Sequence, residues 1–513
     1  MKKTLLILML LLACALFGAA NAENPAQEFV SDHFRYILMP DGTAKITGYT
    51  MSDKKIQIPN QLDGHTVTAI GDYAFSDISN LEEITIPDSV TSIGSNPFRY
   101  CQSLAKINLS RQNRNFATID GALYNRADRK LISSPNALKS SIYSVPNGIQ
   151  IIGDSAFTYC ISLAEVILPN GVKEIESSAF SYCYALSKIT LPDTVTTIGD
   201  LAFYDCRSLT EITIPAGVTA IGANPFANSS LFRTIQVAPG NARFSAVDGV
   251  LFDTIDKRLV CHPCALETSV YTIPDGTAFI GASAFEYCGM LKQVHIPSSV
   301  SSIGNRAFFE CESLEKAALP ANLTAIEDEA FNYCFTLSEI SIPKSVETIG
   351  ANPFAYCLSL KKIYVDPENP CFATIDGVLF DTNQKKLITY PCAFELSEYS
   401  VPEGTLIIGS SAFAYARPLK KVSLPDGATA IEDYAFALCS SLAEIPLPDS
   451  ITAIGKLAFD SCYALKEVIL PRSIEAIGEN AFDFCMNAVF KADKGSFAET
   501  WLTENNIKYQ YTN

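Results

Sequence analysis

A 23-residue motif that returns along almost the whole chain constrains the fold more than any other feature. Its core, I-[GE]-x-x-[AP]-F, occurs fourteen times. A unit of this length cannot bury its apolar face alone and must stack on its neighbours. The repeat therefore predicts one long solenoid, in place of the several globular domains that 513 residues would otherwise suggest. Function is then expected on an extended surface.

The core phenylalanines group these units into larger blocks. Neighbouring units within a group are 23 residues apart, whereas consecutive groups are 59 residues apart, which is one unit plus 36 residues. The larger block repeats every 128 residues, so duplication of a multi-rung cassette is its simplest origin. The core phenylalanines are Phe75, Phe98, Phe157, Phe180, Phe203, Phe226, Phe285, Phe308, Phe331, Phe354, Phe413, Phe436, Phe459 and Phe482.

Two periodicities within a unit predict its local structure. Leu81, Ile84 and Ile86 fit a short strand that ends before a proline. Phe98 and Cys101, three residues apart, fit a short helical or 3-10 turn on the opposite side. The fold class predicted is an α/β solenoid with a parallel β-sheet on one face and short turns on the other. About eighteen strands at about 4.8 Å give a rod or arc about 85 Å long.

Three inserts interrupt the repeat near residues 110–146, 238–274 and 366–402. Each contains an Asp-Gly pair between apolar runs, followed by a short polar stretch and a second apolar run. This pattern is typical of a β-hairpin. We expect three hairpins that project from the solenoid at equal intervals.

The amino terminus has the features of an export signal. Residues 1–22 combine two lysines, an apolar run and small residues at the end, as a secretory signal peptide does. An alternative is a lipoprotein cleavage box that leaves Cys14 as a lipidated first residue. No later run approaches the roughly 20 apolar residues that a membrane span needs.

Both ends of the solenoid are predicted to carry caps. Residues 23–70 should form a capping hairpin and the first rung, and residues 71–486 the repeats with their inserts. Residues 487–513 should form the carboxyl-terminal cap, in which Ser496 and Glu499 have the spacing of a helix capping box. Two capped ends would make this a complete solenoid.

Charge and residue usage argue against several function classes. A net charge of -17 disfavours nucleic acid or an anionic membrane as a partner. The four histidines are far apart, the carboxylates occupy equivalent outward positions, and no phosphate-binding glycine loop or nucleophile elbow occurs. The sequence therefore predicts no enzyme, no cofactor and no metal.

Eleven of the sixteen cysteines follow a core phenylalanine by three residues and should form a column. Disulfides or a metal-binding stripe are one interpretation. Small buried thiols are the favoured one, since parallel stacked side chains are poorly oriented for bridging. For two further pairs, Cys261 with Cys264 and Cys371 with Cys392, the sequence does not decide between a local disulfide and free thiols.

Because side chains alternate between the two faces of a strand, the repeat predicts two rows of residues that point outward. Charged residues such as Glu83 and Lys106 alternate in sign between rungs, and self-stabilisation explains them best. The second row is mostly small and polar and fits a smooth groove for a protein surface or an extended polymer. Larger side chains in that row are candidate partner-binding anchors: His295, Tyr364, Ile469 and Phe490.

The unit L-x-x-I-x-I-P-x-x-V-x-x-I-G-x-x-A-F-x-x-C, the D-G-V-L-F inserts and both caps resemble the BspA-like leucine-rich repeat family. The similarity covers nearly all of the chain after the signal peptide. It implies a secreted or surface-displayed protein without a catalytic centre, and adhesion to host matrix proteins or to other cells. The chain departs from anchored members because it has no recognisable wall-anchoring motif.

We therefore expect a secreted or cell-surface, non-enzymatic protein whose strand face and hairpins bind host or bacterial surface proteins. One alternative is glycan recognition, which the scarcity of exposed aromatic residues disfavours. Another is a passive structural or assembly role without a specific ligand. The chain is expected to be a monomer or to self-associate weakly.

Overall fold

The computed structural model describes residues 27–138 and 140–512. The predicted signal peptide and Cys14 lie outside the described residues. Within them the chain is a solenoid of stacked parallel strands, as predicted. Each turn of the solenoid has a longer strand, a two-residue strand and a tight turn that carries the core phenylalanine.

The longer strands form the face that we call the strand face. Equivalent residues pair in parallel at an offset of 23 along most of the stack, for example Ile84 with Ile107. These strands are Lys55–Gln57, Glu83–Ile86, Lys106–Leu109, Ile142–Ser144, Glu165–Ile167, Lys188–Thr190, Glu211–Ile214, Thr234–Val237, Val270–Thr272, Gln293–His295, Lys316–Ala318, Glu339–Ile342, Lys362–Val365, Glu398–Ser400, Lys421–Ser423, Glu467–Leu470, Val489–Ala492 and Tyr509–Tyr511.

The shorter strands lie on a second side, which we call the second sheet; it is interrupted at each insert, and within each segment its strands pair in parallel, one per turn. Each of them ends on the isoleucine of the repeat core. They are His65–Ile70, Ser92–Ile93, Ile151–Ile152, Glu174–Ile175, Thr197–Ile198, Ala220–Ile221, Phe279–Ile280, Ser302–Ile303, Ala325–Ile326, Thr348–Ile349, Ile407–Ile408, Ala430–Ile431, Ala453–Ile454 and Ala476–Ile477.

The third side, which we call the turn face, consists of tight turns and not of the helical or 3-10 turns that we predicted. The Cys160 N-H donates to Phe157 O at 3.0 Å, and the Phe157 N-H donates to Ala179 O of the next rung at 2.8 Å. Tyr159, between them, has φ +64°, a left-handed conformation that lets its own N-H reach the next rung as well. Hydrogen bonds between rungs replace those of a helix.

Each insert is a meander of three antiparallel strands, the last of which pairs in parallel with the second sheet. The first two inserts comprise Phe116–Ile119, Ala122–Asn125 and Lys130–Ser133, then Phe244–Val247, Val250–Asp253 and Arg258–Cys261. The third comprises Phe372–Ile375, Val378–Asp381 and Lys386–Thr389. The amino-terminal strands Glu28–Ser31, Phe34–Leu38 and Ala44–Tyr49 have the same arrangement, and Gln61–Leu62 forms a small hairpin with the first strand of the second sheet.

The inserts do not project from the solenoid, and that expectation is wrong. Leu251 packs into the core that precedes the second insert, whereas Val250 and Phe252 pack into the core that follows it. Because side chains alternate along a strand, each meander buries one face on either side. The meanders are internal septa, and they divide the apolar core into four clusters.

The septa bend the stack. The phenylalanine rings form four stacked runs that break at each septum, for example after Phe98 and before Phe157. On the turn face, however, the same rungs touch directly: Tyr100 and Tyr159 have ring centroids 4.7 Å apart, and Asn96 donates to Ser155 O at 2.6 Å. Each septum is a packed sheet about 10 Å thick that separates the strands of the flanking rungs but not their turns. The solenoid therefore curves around its turn face at each insert.

The carboxyl-terminal cap is the helix Phe497–Glu504. Ser496 caps it by accepting a hydrogen bond from the Glu499 N-H at 3.1 Å, as the sequence predicted. The Glu499 carboxylate accepts from the Gly495 N-H. Leu502 is buried, whereas Phe497 at the start of the helix is exposed. Among the described residues, no helix is long and apolar enough to cross a bilayer.

Candidate binding surface

Along the strand face, inward residues are buried and the residues between them point to solvent. Ile212 and Ile214 are buried, whereas Thr213 between them is exposed. The outward row runs through Thr190, Thr213 and Gln236 in consecutive strands; Thr213 and Gln236 are paired directly, whereas the ladder of hydrogen bonds is interrupted between the strands of Thr190 and Thr213. The predicted row of small polar side chains is present.

Two depressions on this face join into one groove. One, of about 490 Å³, is lined by Lys188, Thr190, Glu211, Thr213 and Gln236 among others. The other, of about 350 Å³, also contains Lys188 and Thr190. We call the combined feature the strand-face groove, which extends over the four strands from residue 165 to residue 237.

A third depression lies further along the same face. It has a volume of about 420 Å³ and is lined by Glu444, Pro446, Glu467 and Ile469 among others. Apolar and acidic groups dominate there, in contrast with the polar strand-face groove.

Three of the four predicted anchors are exposed on this face. Tyr364 is 48% exposed and Ile469 is 46% exposed, and His295 is also exposed. Tyr364 and His295 lie outside the three depressions, so the structure does not bring the anchors together. Whether they bind a partner stays a prediction.

Phe490 is the fourth predicted anchor, and its outward placement is wrong. It is 5% exposed and pairs with the inward Val468, while Lys491 pairs with the outward Ile469. The last unit is one residue shorter between its cysteine and its strand, so the strand register moves by one residue. A shift of one residue exchanges the two faces of a strand.

The charged row behaves partly as predicted. Glu83 pairs with Lys106 at 3.1 Å and with Lys55 at 3.2 Å, and it also accepts from Asn108 at 2.7 Å. These hydrogen bonds, that from Asn108 foremost, lower the pKa of Glu83 to about 2. Two further pairs in this row join adjacent rungs, Glu165 with Lys188 and Lys421 with Glu444. In the described part of the chain, Lys316, Glu339 and Lys362 make no ion pair.

The cysteine column consists of buried thiols that hydrogen-bond between rungs. The Cys334 thiol donates to Phe308 O of the preceding rung at 3.2 Å, and the same contact recurs along the column. The Ser229 hydroxyl replaces a cysteine and donates to Phe203 O at 3.1 Å. Burial raises the pKa of Cys334 well above its usual value.

The fifteen described cysteines are unpaired. Cys261 and Cys264 pack into different cores on opposite sides of the second septum. His262 is 2% exposed and stacks on Phe285 at 4.9 Å. It fills the phenylalanine column at the septum. Within residues 27–138 and 140–512, no group of three or more His, Cys, Asp or Glu could hold a metal ion.

An aromatic column on the turn face was not predicted from the sequence. Consecutive ring centroids lie between 4.4 and 6.3 Å apart, and the side chains are half-buried except that of Phe309, which is 7% exposed. The recurring Tyr-Cys pair, as in Tyr159-Cys160, is the signal that could have revealed it. We call it the tyrosine column: Tyr100, Tyr159, Tyr182, Tyr204, Tyr287, Phe309, Tyr333, Tyr356 and Tyr415.

The fold defines a leucine-rich repeat solenoid. The family model "BspA type Leucine rich repeat region" matches residues 44–143, 136–246, 255–385 and 389–506. The chain therefore belongs to the BspA-type leucine-rich repeat family. This is a family of surface repeat proteins that bind other proteins and are not enzymes as a class, and membership suggests a cell-surface location.

Solved structures with similar folds come from several bacteria. A leucine-rich cell surface protein from Faecalibacterium prausnitzii is 22% identical, covers 96% of each chain and has a TM-score of 0.38. A leucine-rich repeat protein from Eubacterium ventriosum is 20% identical, with 90% of this chain and 95% of that chain covered and a TM-score of 0.37. The pneumococcal vaccine antigen PcpA is 19% identical, with 91% and 82% covered and a TM-score of 0.32. A search of curated proteins gave no match.

Proposed function

We propose that the protein is exported by its amino-terminal signal and binds host matrix or bacterial surface proteins through the strand-face groove, so acting as an adhesin. The observation that carries this proposal is the groove itself, which is continuous over four strands. Repeat proteins characteristically use such extended faces for partners.

The lining of the groove supports a protein partner. Thr190, Thr213 and Gln236 offer a line of hydrogen-bond donors and acceptors, and Lys188 and Glu165 at the edge offer charges of both signs. Ile167, which is 49% exposed, adds an apolar contact. Mixed polar surfaces with a few apolar contacts are typical of interfaces that form and dissociate.

The test is binding of the purified chain, residues 23–513, to immobilised fibronectin, laminin and collagen and to intact bacterial cells. Thr213→Arg places a long charged side chain in the middle of the groove. We expect it to weaken capture by roughly tenfold or more, because central contacts dominate interface energies. Ala220→Arg is the matched control, since Ala220 is exposed on the second sheet of the same cassette.

Equal loss in both variants, or no loss in Thr213→Arg, would contradict the groove as the site. A passive assembly role predicts instead that the wild-type chain captures none of these surfaces and that its mass by light scattering rises with concentration. The two outcomes separate an adhesin from a structural protein.

A further inference from the structure

The tyrosine column lies on a different face from the strand-face groove and on the inside of each bend. Tyr100 contacts Tyr159 across the first septum, and Tyr204 lies 6.3 Å from Tyr287 across the second. The column therefore passes every septum without a break, from Tyr100 to Tyr415, while the phenylalanine column does not. It forms a long surface about one side chain wide on the concave side of the molecule.

Guanidinium groups cover faces of this aromatic surface. Arg99 lies 4.5 Å from the centroid of the Tyr100 ring, and Arg306 lies 3.5 Å from that of Phe309. Arg417 lies 3.9 Å from the Tyr415 ring. Stacking holds each guanidinium in place. Arg306 also donates to Glu286 and Glu329, whereas Arg99 and Arg417 each donate to the hydroxyl of the tyrosine that they cover.

Carboxylates lie beside the same surface. Asp205 pairs with Arg207 at 2.8 Å, and Glu286 pairs with Arg306 at 2.7 Å. Arg207 stacks on Tyr184, which flanks the column, at 4.2 Å. Asp205 is 3% exposed and Glu286 is 2% exposed, so these buried carboxylates hold and neutralise the arginines, and the guanidinium groups are the polar groups that face a ligand.

We propose that the tyrosine column is a second binding site, and that its ligand is a linear, uncharged oligosaccharide or polysaccharide. Sugar hydroxyls accept from guanidinium N-H groups such as those of Arg207, whose side chain is 55% exposed, while the C-H surfaces of sugar rings pack on aromatic side chains. The narrow width and the unbroken length of the column fit one extended chain, whereas a folded protein needs a broad patch of about 800 Å². The buried carboxylates that pair with Arg207 and Arg306 neutralise them, which disfavours a polyanion.

The densest part of the column is the segment around the first septum. Tyr159 has Tyr182 at 4.7 Å and Tyr184 at 6.0 Å, and Tyr182 has Tyr204 at 5.4 Å. Burial raises the pKa of Tyr182 and of Tyr184 to about 12, so these hydroxyls stay protonated and able to donate near neutral pH. Ile161, 48% exposed, extends the apolar surface beside them. We expect the main binding energy in this segment.

The test is a glycan array of neutral and acidic oligosaccharides, probed with residues 23–513 and with three variants. Tyr184→Ala removes a flanking ring, and Arg207→Gln removes a guanidinium whose side chain is 55% exposed. Tyr364→Ala is the matched control, since it makes the same change on the strand face. We expect a roughly threefold to tenfold loss of neutral-glycan affinity in Tyr184→Ala and a similar loss in Arg207→Gln, with Tyr364→Ala unchanged.

Circular dichroism melting of each variant shows whether it is folded, and Arg207→Gln keeps the test valid if Tyr184→Ala unfolds. The proposal is overturned if no neutral glycan binds, if only acidic glycans bind, or if Tyr364→Ala removes binding while Arg207→Gln does not. It is independent of the strand-face groove, because Thr213→Arg should abolish protein capture and leave glycan binding intact.

Discussion

At the scale of single residues, the cysteine column explains why one residue type recurs in a long apolar stack. A thiol is small and apolar enough for the core and still donates a weak hydrogen bond. Each thiol therefore links its rung to a carbonyl of the preceding rung, as Cys183 does to Phe157 O at 3.1 Å. Ser229 shows that a hydroxyl can make the same contact, and Ile78 and Ala416 show that two rungs do without it.

This account predicts different outcomes for two substitutions at one position. Cys334→Ser keeps a donor for Phe308 O and should change stability by less than about 1 kcal/mol. Cys334→Ala loses the donor and leaves a small cavity, which should cost about 1–2 kcal/mol. Thermal unfolding compares the melting temperatures of the two variants. Ser229→Ala, which removes the equivalent hydrogen bond in another rung, should lower the melting temperature as Cys334→Ala does. Equal melting temperatures for the two Cys334 variants would show that the hydrogen bond is unimportant.

Glu83 makes a pH-dependent contribution to stability. Because hydrogen bonds and nearby lysines lower its folded-state pKa from 4.5 to about 2, its contribution is present above pH 4.5 and is lost as the pH falls towards 2. The wild type should therefore melt higher than Glu83→Gln at pH 6, and the two should converge at pH 2.5. A constant difference at both pH values would contradict the assignment.

At the scale of elements, the septa show where sequence patterns were sufficient and where they were not. The D-G pair and the apolar runs predicted a two-stranded hairpin, since turn chemistry and alternation are local, whereas each insert has three antiparallel strands. The run is apolar on both faces at Leu251 and Phe252, which is the pattern of a strand buried on both sides, but the cores that cover it are built by rungs distant in sequence. The tyrosine column was missed for a similar reason. Contacts such as Tyr100 with Tyr159 cross 59 residues and depend on the bend.

The anchors illustrate the sensitivity of outward positions to register. His295, Tyr364 and Ile469 follow units of constant length, so counting along the repeat placed them correctly on the exposed face. Phe490 follows a unit that is one residue shorter. The strand pairs by matching its buried residues, and no count along the chain reports that adjustment.

Septum packing can be tested by one matched pair of substitutions. Leu251 is fully buried in the second septum, and Leu251→Ala should cost about 2–5 kcal/mol. Ile255, in the polar turn of the same insert, is 65% exposed, and Ile255→Ala should change stability by less than about 0.5 kcal/mol. Thermal unfolding would reveal the difference. Similar small effects of both substitutions would indicate an insert outside the core.

At the scale of the whole molecule, the inserts change the expected picture of a rod with projecting arms. Septa keep the four cores in one continuous stack and bend it at three places, which leaves a strand face with the groove and an inner turn face with the tyrosine column. Both proposed sites are then surfaces that no single unit possesses, because each is assembled from several rungs. This is the general situation of solenoid proteins, whose binding faces grow with the number of repeats.

The measurement that tests this architecture most directly is amide hydrogen exchange followed by mass spectrometry on residues 23–513. The account predicts that peptides covering Phe244–Val247, Val250–Asp253 and Arg258–Cys261 are as strongly protected as those of the adjacent strands Glu211–Ile214 and Gln293–His295. Rapid exchange throughout the insert, with protection confined to the 23-residue units, would mean a projecting hairpin and would contradict the account.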